Sequence, residues 1–268
     1  MFKESSISYK RKIKIAMKKF LFFVLIALSV TQLRSQNEVV PSTKATVTED
    51  RNFKIPLIGE VAPSFTAEST NGVINFPNDF GRKWKILFSH PQDFTPVCSS
   101  EIMELANLQG EFDKLGAKLV VVSTDHLDTH GEWKKTMEGL TYKDRKTPTI
   151  KFPLVADENL SIAKKYGMIH PQTNSTKSVR GVFIIDPDDI VQAIYFYPMN
   201  VGRNTDEIIR MLQALQTVAA DKVSTPANWK SGDDLLVPFP PKTALNDPKL
   251  APEGYYNLAW FMWFKKAK

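Results

Sequence analysis

The stretch Ser89-His90-Pro91-Gln92-Asp93-Phe94-Thr95-Pro96-Val97-Cys98-Ser99-Ser100-Glu101 holds the only cysteine of a 268-residue chain, and its flanks decide how the region folds. Before it, Trp84-Lys85-Ile86-Leu87-Phe88 is an apolar run of strand length that reads as buried. After it, Ile102, Leu105, Leu108, Phe112 and Leu115 recur at helical spacing across residues 101–115. The two prolines between them, Pro91 and Pro96, make a rigid loop and hold back an early start to the helix, because proline disfavours the α conformation in the residue before it. Cys98 therefore falls in the first turn of a helix.

A first helical turn presents unpaired backbone NH groups and the positive end of the peptide dipoles, both of which favour a thiolate over a thiol. Thr95, three residues earlier, can direct its hydroxyl at whatever the sulfur attacks. A thiolate, a hydroxyl and free amides converging on one point suit the polarisation of a peroxide bond. The competing reading is a small buried hydrophobe, the commoner fate of a free cysteine. The residues alone leave both readings open.

Strand and helix signals alternate downstream. Residues 117–123 are β-branched and apolar enough for a central strand, and residues 125–137 read as a helix. A short strand end at 154–156 and a helix at 160–166 follow. Residues 180–186 and 190–197 form a strand pair turned by Pro187-Asp188-Asp189. Residues 205–220 carry Ile208, Ile209, Leu212, Leu215 and Val218 on one face, with Asn204 or Thr205 as cap. This alternation argues an α/β sheet flanked by helices.

Pro91, Thr95 and Cys98 match the pattern P-x-x-x-T-x-x-C, and the stretch from His90 to Cys98 resembles the one-cysteine branch of the peroxiredoxins. The resemblance continues in order through Gly59-Glu60-Val61-Ala62-Pro63, Val179-Arg180-Gly181-Val182-Phe183, Tyr197-Pro198 and Gly202-Arg203-Asn204. Thr225-Pro226, Trp229-Lys230 and Gly232-Asp233 complete it, so that it spans residues 53–268 with no sharp motif beyond Asp233. It implies a thioredoxin-like fold in its peroxiredoxin variant, over residues 53–222, with a small C-terminal dimerisation domain over 223–268.

The same resemblance implies a thiol-dependent peroxidase acting on hydrogen peroxide and alkyl hydroperoxides through a sulfenic acid on Cys98. An external thiol must reduce that acid, because the chain has no second cysteine. Pro91 belongs to the rigid loop, Arg180 contacts the sulfur, and Thr95, Arg180 and backbone amides hold the peroxide. Arg203 matches a second arginine near the pocket; for it, a structural pairing with Glu101 and a catalytic part stand equally open. His90 adjoins the loop, either lining the pocket or serving as a structural hydrogen-bonder. The implied assembly is a homodimer whose C-terminal region reaches over the second protomer, with larger rings left open.

No cofactor and no metal is implied. His126 and His130 have the i, i+4 spacing of metal ligands beside Asp125 and Asp128, but with no third ligand they read as an exposed helix face. There is no C-x-x-C pair, no phosphate-binding loop and no dinucleotide glycine pattern. A catalytically idle thioredoxin-fold holdase or scaffold, or a peroxide sensor, is the alternative that the tail and the lone thiol leave standing.

The chain opens on seven Lys or Arg within residues 1–19, followed by eleven apolar or small residues at 20–30. That is the pattern of a secretory signal, too short for the ~20 residues of a spanning helix. Residues 1–35 are read as this signal, starting at Met1 or Met17, and 36–52 as a flexible linker, which makes the mature protein exported, periplasmic or secreted. Residues 1–35 hold eight of the 35 basic and one of the 29 acidic residues, so the remainder carries one net negative charge. The basic balance of the whole chain therefore gives no reason to expect a nucleic-acid partner. From Ser224 onward there are six prolines and an aromatic end, Tyr255-Tyr256-Asn257-Leu258-Ala259-Trp260-Phe261-Met262-Trp263-Phe264, read as a loop-like extension that needs something to pack against.

Overall fold

In the computed structural model, residues 55–245 and 247–267 are described; the segments read above as signal (1–35) and as linker (36–52) lie outside them. The order of elements is β1 (Phe65–Ala67), β2 (Ile74–Phe76), β3 (Trp84–Ser89), α1 (Pro96–Lys114), β4 (Ala117–Ser123) and α2 (Leu127–Glu138). A short hairpin, β5 (Thr141–Tyr142) and β6 (Arg145–Lys146), precedes β7 (Leu154–Ala156), α3 (Ser161–Lys165), β8 (Arg180–Ile185), β9 (Val191–Tyr197) and α4 (Thr205–Asp221). The C-terminal part holds β10 (Leu235–Val237), β11 (Tyr255–Ala259) and β12 (Met262–Lys265).

The central sheet runs β7-β4-β3-β8-β9. Its β3, β4 and β7 are parallel, whereas β8 runs antiparallel to both β3 and β9. Both faces of β3 are covered, which is why its sequence is a continuous apolar run rather than an alternation. Ile86 and Phe88 pack with Ile102, Leu105, Trp133 and Leu212 on one side, the side of α1, α2 and α4. Leu87 packs on the other with Phe65, Phe76, Ile162, Tyr166 and Phe183.

The helix after β3 starts earlier than the proline argument predicts. It begins at Pro96 itself, with Thr95 in an extended N-cap conformation. Proline suits the first helical position, since its missing NH is one the helix leaves unpaired and its φ is already helical. Cys98 is thus the third residue of α1.

The tail is not a loop-like extension. It folds as a three-stranded antiparallel sheet in the order β10-β12-β11. Trp263 and Phe264 are buried, and Trp229, Val223 and Leu235 close a small separate cluster against Ala214 of α4. At the β11–β12 turn, Trp260 and Phe261 remain 85% and 70% exposed. Among the described residues, no helix is long and apolar enough to cross a membrane.

Candidate active site

Where β3 ends, one hydroxyl ties it to the start of β8. Ser89 Oγ donates to the Val179 carbonyl at 2.8 Å and accepts from the Gly181 amide at 2.8 Å. That stitch sets Arg180, the first residue of β8, against the opening of α1. Arg180 is buried, and its Nη1 lies 3.3 Å from Cys98 Sγ and 2.7 Å from Glu101 Oε2. Its Nε and Nη2 both donate to the Met199 carbonyl, so the whole guanidinium is held rigidly. Glu101 lies one turn beyond Cys98 on α1, the spacing at which two helical side chains share a face.

Glu101 also holds the second arginine. Arg203 donates to Glu101 Oε1 from its backbone N (2.7 Å) and from Nε (2.9 Å), and to Oε2 from Nη2 (2.7 Å). Its Nη1 reaches the Ser89 and Gly181 carbonyls at 2.7 and 2.9 Å, and its guanidinium carbon lies 3.3 Å from the Phe88 ring centroid. Of the two roles left open for Arg203, the pairing with Glu101 is the one present. Burial pushes the Glu101 carboxyl up, but the hydrogen bonds and charge of Arg203, aided by Arg180, outweigh it and leave the group below its ordinary range. Two guanidiniums against one carboxylate leave a positive charge over beside the sulfur.

Cys98 itself is only 1% exposed. Thr95 Oγ1 donates to the Gln92 carbonyl at 2.9 Å and caps no helical amide, so the hydroxyl oxygen keeps its lone pairs for an incoming O–H. The first bond of the helical ladder runs from Ser99 N to the Thr95 carbonyl, which leaves the Val97 and Cys98 amides ahead of it. Pro91 is buried beneath the loop, while Phe94 stands at φ 52° with half its surface exposed.

A second polar cluster lies behind the loop, and part of it corrects the sequence reading. His126 is exposed and pairs with Glu158, but His130 is fully buried, so the two do not form an exposed face. His130 shares the inward stripe of α2 with Trp133 and Met137, a spacing of three and seven residues that the sequence displayed. Its Nδ1 meets Asp93 Oδ2 at 2.6 Å and its Nε2 meets the Val155 carbonyl at 3.1 Å. Asp93 Oδ1 meets His90 Nε2 at 2.7 Å, and His90 Nδ1 is buried with no partner among the described residues. Asp93 and His130 are the residues that sequence reasoning left out of the site.

His90, Asp93 and Asp125 offer ligand atoms within 4.8 Å of one another. Each is already engaged: Asp125 Oδ1 accepts from Lys177 Nζ at 2.9 Å, and its Oδ2 accepts from the Asp93 amide at 2.8 Å and from Ser123 Oγ at 2.9 Å. Apart from His90 Nδ1, the ligand atoms of the cluster are taken up in hydrogen bonds, and one open nitrogen does not make a coordination sphere.

The AhpC/TSA family matches residues 58–194, and the C-terminal domain of 1-Cys peroxiredoxin matches residues 214–245. A peroxiredoxin of Methanosarcina mazei is 46% identical over 215 residues, covering 79% of this chain and 98% of that one. One from Aquifex aeolicus is 40% identical over 222 residues, with 79% and 97% covered. A cysteine mutant of the peroxiredoxin 6 of Arenicola marina superposes with a TM-score of 0.69 at 33% identity, over 79% of this chain and 98% of that one. A yeast mitochondrial 1-Cys peroxiredoxin, solved for its thiol resolving mechanism via the glutathione/thioredoxin systems, gives 0.69 at 35% identity, over 80% and 100%.

Proposed function

The chain belongs to the AhpC/TSA family as a 1-Cys peroxiredoxin, a thiol-dependent peroxidase of thioredoxin-like fold, and from that premise we propose that Cys98 is its peroxidatic nucleophile. The thiolate attacks the terminal oxygen of hydrogen peroxide or an alkyl hydroperoxide. An S–O bond forms, the O–O bond breaks, and the departing oxygen leaves as water or an alcohol once protonated. Arg180 and the first-turn amides stabilise the charge that moves onto the oxygens. The observation that carries this reading is Arg180 Nη1 at 3.3 Å from Cys98 Sγ, in a guanidinium fixed on its other donors.

The sulfenic acid is returned to the thiol by an external thiol, in two exchanges with a mixed disulfide between them. In the yeast relative the resolving thiols are those of the glutathione and thioredoxin systems, and a small thiol or a dithiol protein is the reductant class for this chain. Because the sulfur is 1% exposed, the reductive half requires the first turn of α1 to open, whereas a peroxide needs far less room.

The test is direct. Treated with one equivalent of hydrogen peroxide and trapped with dimedone, the protein should gain the adduct mass on Cys98 and lose it in Cys98→Ser. Turnover with an added thiol then separates an enzyme from a scaffold. A wild-type thiol no faster than free cysteine would overturn the assignment.

Two finer points belong to the same proposal. The basic segment and apolar run of residues 1–30 support export with cleavage of the leader, to be checked by fractionation and N-terminal sequencing of the mature chain. A homodimer is supported by β9, an edge strand with half-buried Ile194, Tyr195, Phe196 and Tyr197, and by the exposed Trp260 and Phe261. Sedimentation equilibrium of the mature chain decides it, and a monomer at micromolar concentration counts against it.

A further inference from the structure

We infer that Ser89, the last residue of β3, is a positioning residue for the Cys98 reaction: its hydroxyl closes the backbone turn from which Arg180 projects, and so fixes where the guanidinium meets the sulfur. The inference deepens the peroxidase reading and rests on it.

The two backbone groups that the Ser89 hydroxyl engages, the Val179 carbonyl and the Gly181 amide, flank Arg180 on either side. The same amide also reaches the Val179 carbonyl directly, at 3.1 Å, a bond that makes a three-residue turn with Arg180 at its centre. Ser89 Oγ bridges the two ends of that turn with shorter bonds, both 2.8 Å. Ser89 is fully buried, so opening the turn would strip two hydrogen bonds where no water replaces them.

The close fit extends to Gly181 and Met168. A Cβ on Gly181 would lie 2.9 Å from Met168 Sδ and 3.3 Å from Ser89 Oγ. The φ of Gly181 is outside the left-handed region, so the tight approach, not the conformation, calls for glycine. Met168 is fully buried, and its carbonyl accepts from the Val179 amide at 2.9 Å. The turn around Arg180 is thus held by Ser89 and by Met168 together. The Ser89 carbonyl has a second part, since it and the Gly181 carbonyl both accept from Arg203 Nη1, the arginine locked to Glu101.

The reaction makes that placement matter. As the sulfur lone pair forms the S–O bond, the O–O pair passes to the departing oxygen, and a guanidinium stabilises that charge only from hydrogen-bond distance. A misplacement of about 1 Å costs up to roughly 10²-fold. The Met199 carbonyl and Glu101 hold the tip of the Arg180 side chain, but neither fixes the backbone it extends from. Ser89 supplies that second anchor.

The test compares two reagents on Cys98 of the full chain, hydrogen peroxide and iodoacetamide, at about pH 9.5, above the range of an ordinary thiol, so that the ionised fraction does not enter. Peroxide oxidation needs Arg180 in place, whereas alkylation needs only an accessible thiolate. In Ser89→Ala the peroxide rate should fall about tenfold with alkylation unchanged. Gly181→Ala, which crowds the same contact, should show the same selective loss. An unchanged peroxide rate in Ser89→Ala overturns the inference. So does a loss accompanied by a matching change in alkylation, which marks a loosened helix rather than a misplaced guanidinium. On the wild type, NMR should find the Gly181 amide slow to exchange with deuterium, and exchange at the rate of an exposed loop overturns the clasp without any variant. If wild-type Cys98 ignores peroxide, the peroxidase reading falls, while the Gly181 measurement stands or falls separately.

Discussion

Glu101 grips Arg203 with both carboxylate oxygens, accepting from its Nε and backbone N on one and from its Nη2 on the other, in a pair that water does not reach. The same carboxylate anchors Arg180, so one acidic group sets two guanidiniums around the sulfur. Glu101→Gln keeps the shape and removes the charge. Leaving buried guanidiniums without their counter-ion costs ~3–5 kcal/mol, and slackening of Arg180 should slow dimedone-trapped oxidation of Cys98 by roughly 10²-fold. Urea unfolding and stopped-flow oxidation measure the two effects. A variant with wild-type midpoint and rate would show that the arginines do not depend on this carboxylate.

Acid should weaken the fold in two separate steps. His90 sits below its ordinary value because it is buried, so on acidification the unfolded chain takes up its proton first. The stability it contributes is full above pH about 6.5 and drains as pH falls toward the lower folded value. Glu101 and Asp93 lie below the ordinary carboxylate range, so their contribution is present above pH about 4 and is lost as pH falls through that range. Denaturant midpoints at about pH 7, 5.5 and 3.5 should therefore fall twice. A midpoint unchanged between the first two would remove His90 from the account.

Some of this was readable in the residues, and the reason differs from place to place. Strands β3, β4 and β7 coincide with apolar runs bounded by polar or proline residues, because a strand buried on both faces writes itself as an unbroken run. The pairs β1–β2 and β5–β6 are two or three residues long with mixed polarity, too short to show a period. In the tail, strands β11 and β12 lie inside one continuous aromatic stretch that conceals the turn at Trp260 and Phe261. Cys98, Arg180, Arg203 and Glu101 were legible through short patterns. Asp93 and His130 were not, because a carboxylate and an imidazole 37 residues apart declare nothing until the chain folds.

Lys85 shows the same limit, and it makes a prediction. Its side chain is fully buried in β3, paired with Asp189 of the β8–β9 turn and donating to the Asp186 carbonyl at 3.3 Å. Asp189 sits at φ 65°, which asparagine also tolerates, so Asp189→Asn removes charge without backbone strain. Because Asp189 is partly solvated, the expected loss is about 2 kcal/mol, below the usual figure for breaking a buried pair. Lys85→Met should cost under about 1 kcal/mol, and the double variant should resemble it rather than the sum. An additive double-mutant cycle would show that the two side chains are not coupled.

The burial of Cys98 separates the two halves of the catalytic cycle. With 1% of its surface exposed, the sulfur is closed off from solvent, whereas Phe94, four residues before it, is 52% exposed. Pro96 starts the helix with its φ already set, which limits how far the first turn opens. Replacing Pro96 by Ala gives the open chain more freedom and should favour opening by about 0.4–1 kcal/mol, or roughly two- to fivefold in population. Reduction of the sulfenic acid by a thiol as large as glutathione, which needs that opening, should speed up by the same factor. Oxidation by hydrogen peroxide, which reacts with the closed helix and its Arg180 contact, should stay level or fall. Stopped-flow measurement of the two steps decides the matter. If both accelerate together, peroxide and thiol use one open state, and the closed arrangement of Cys98 with Arg180 is not the one that reacts.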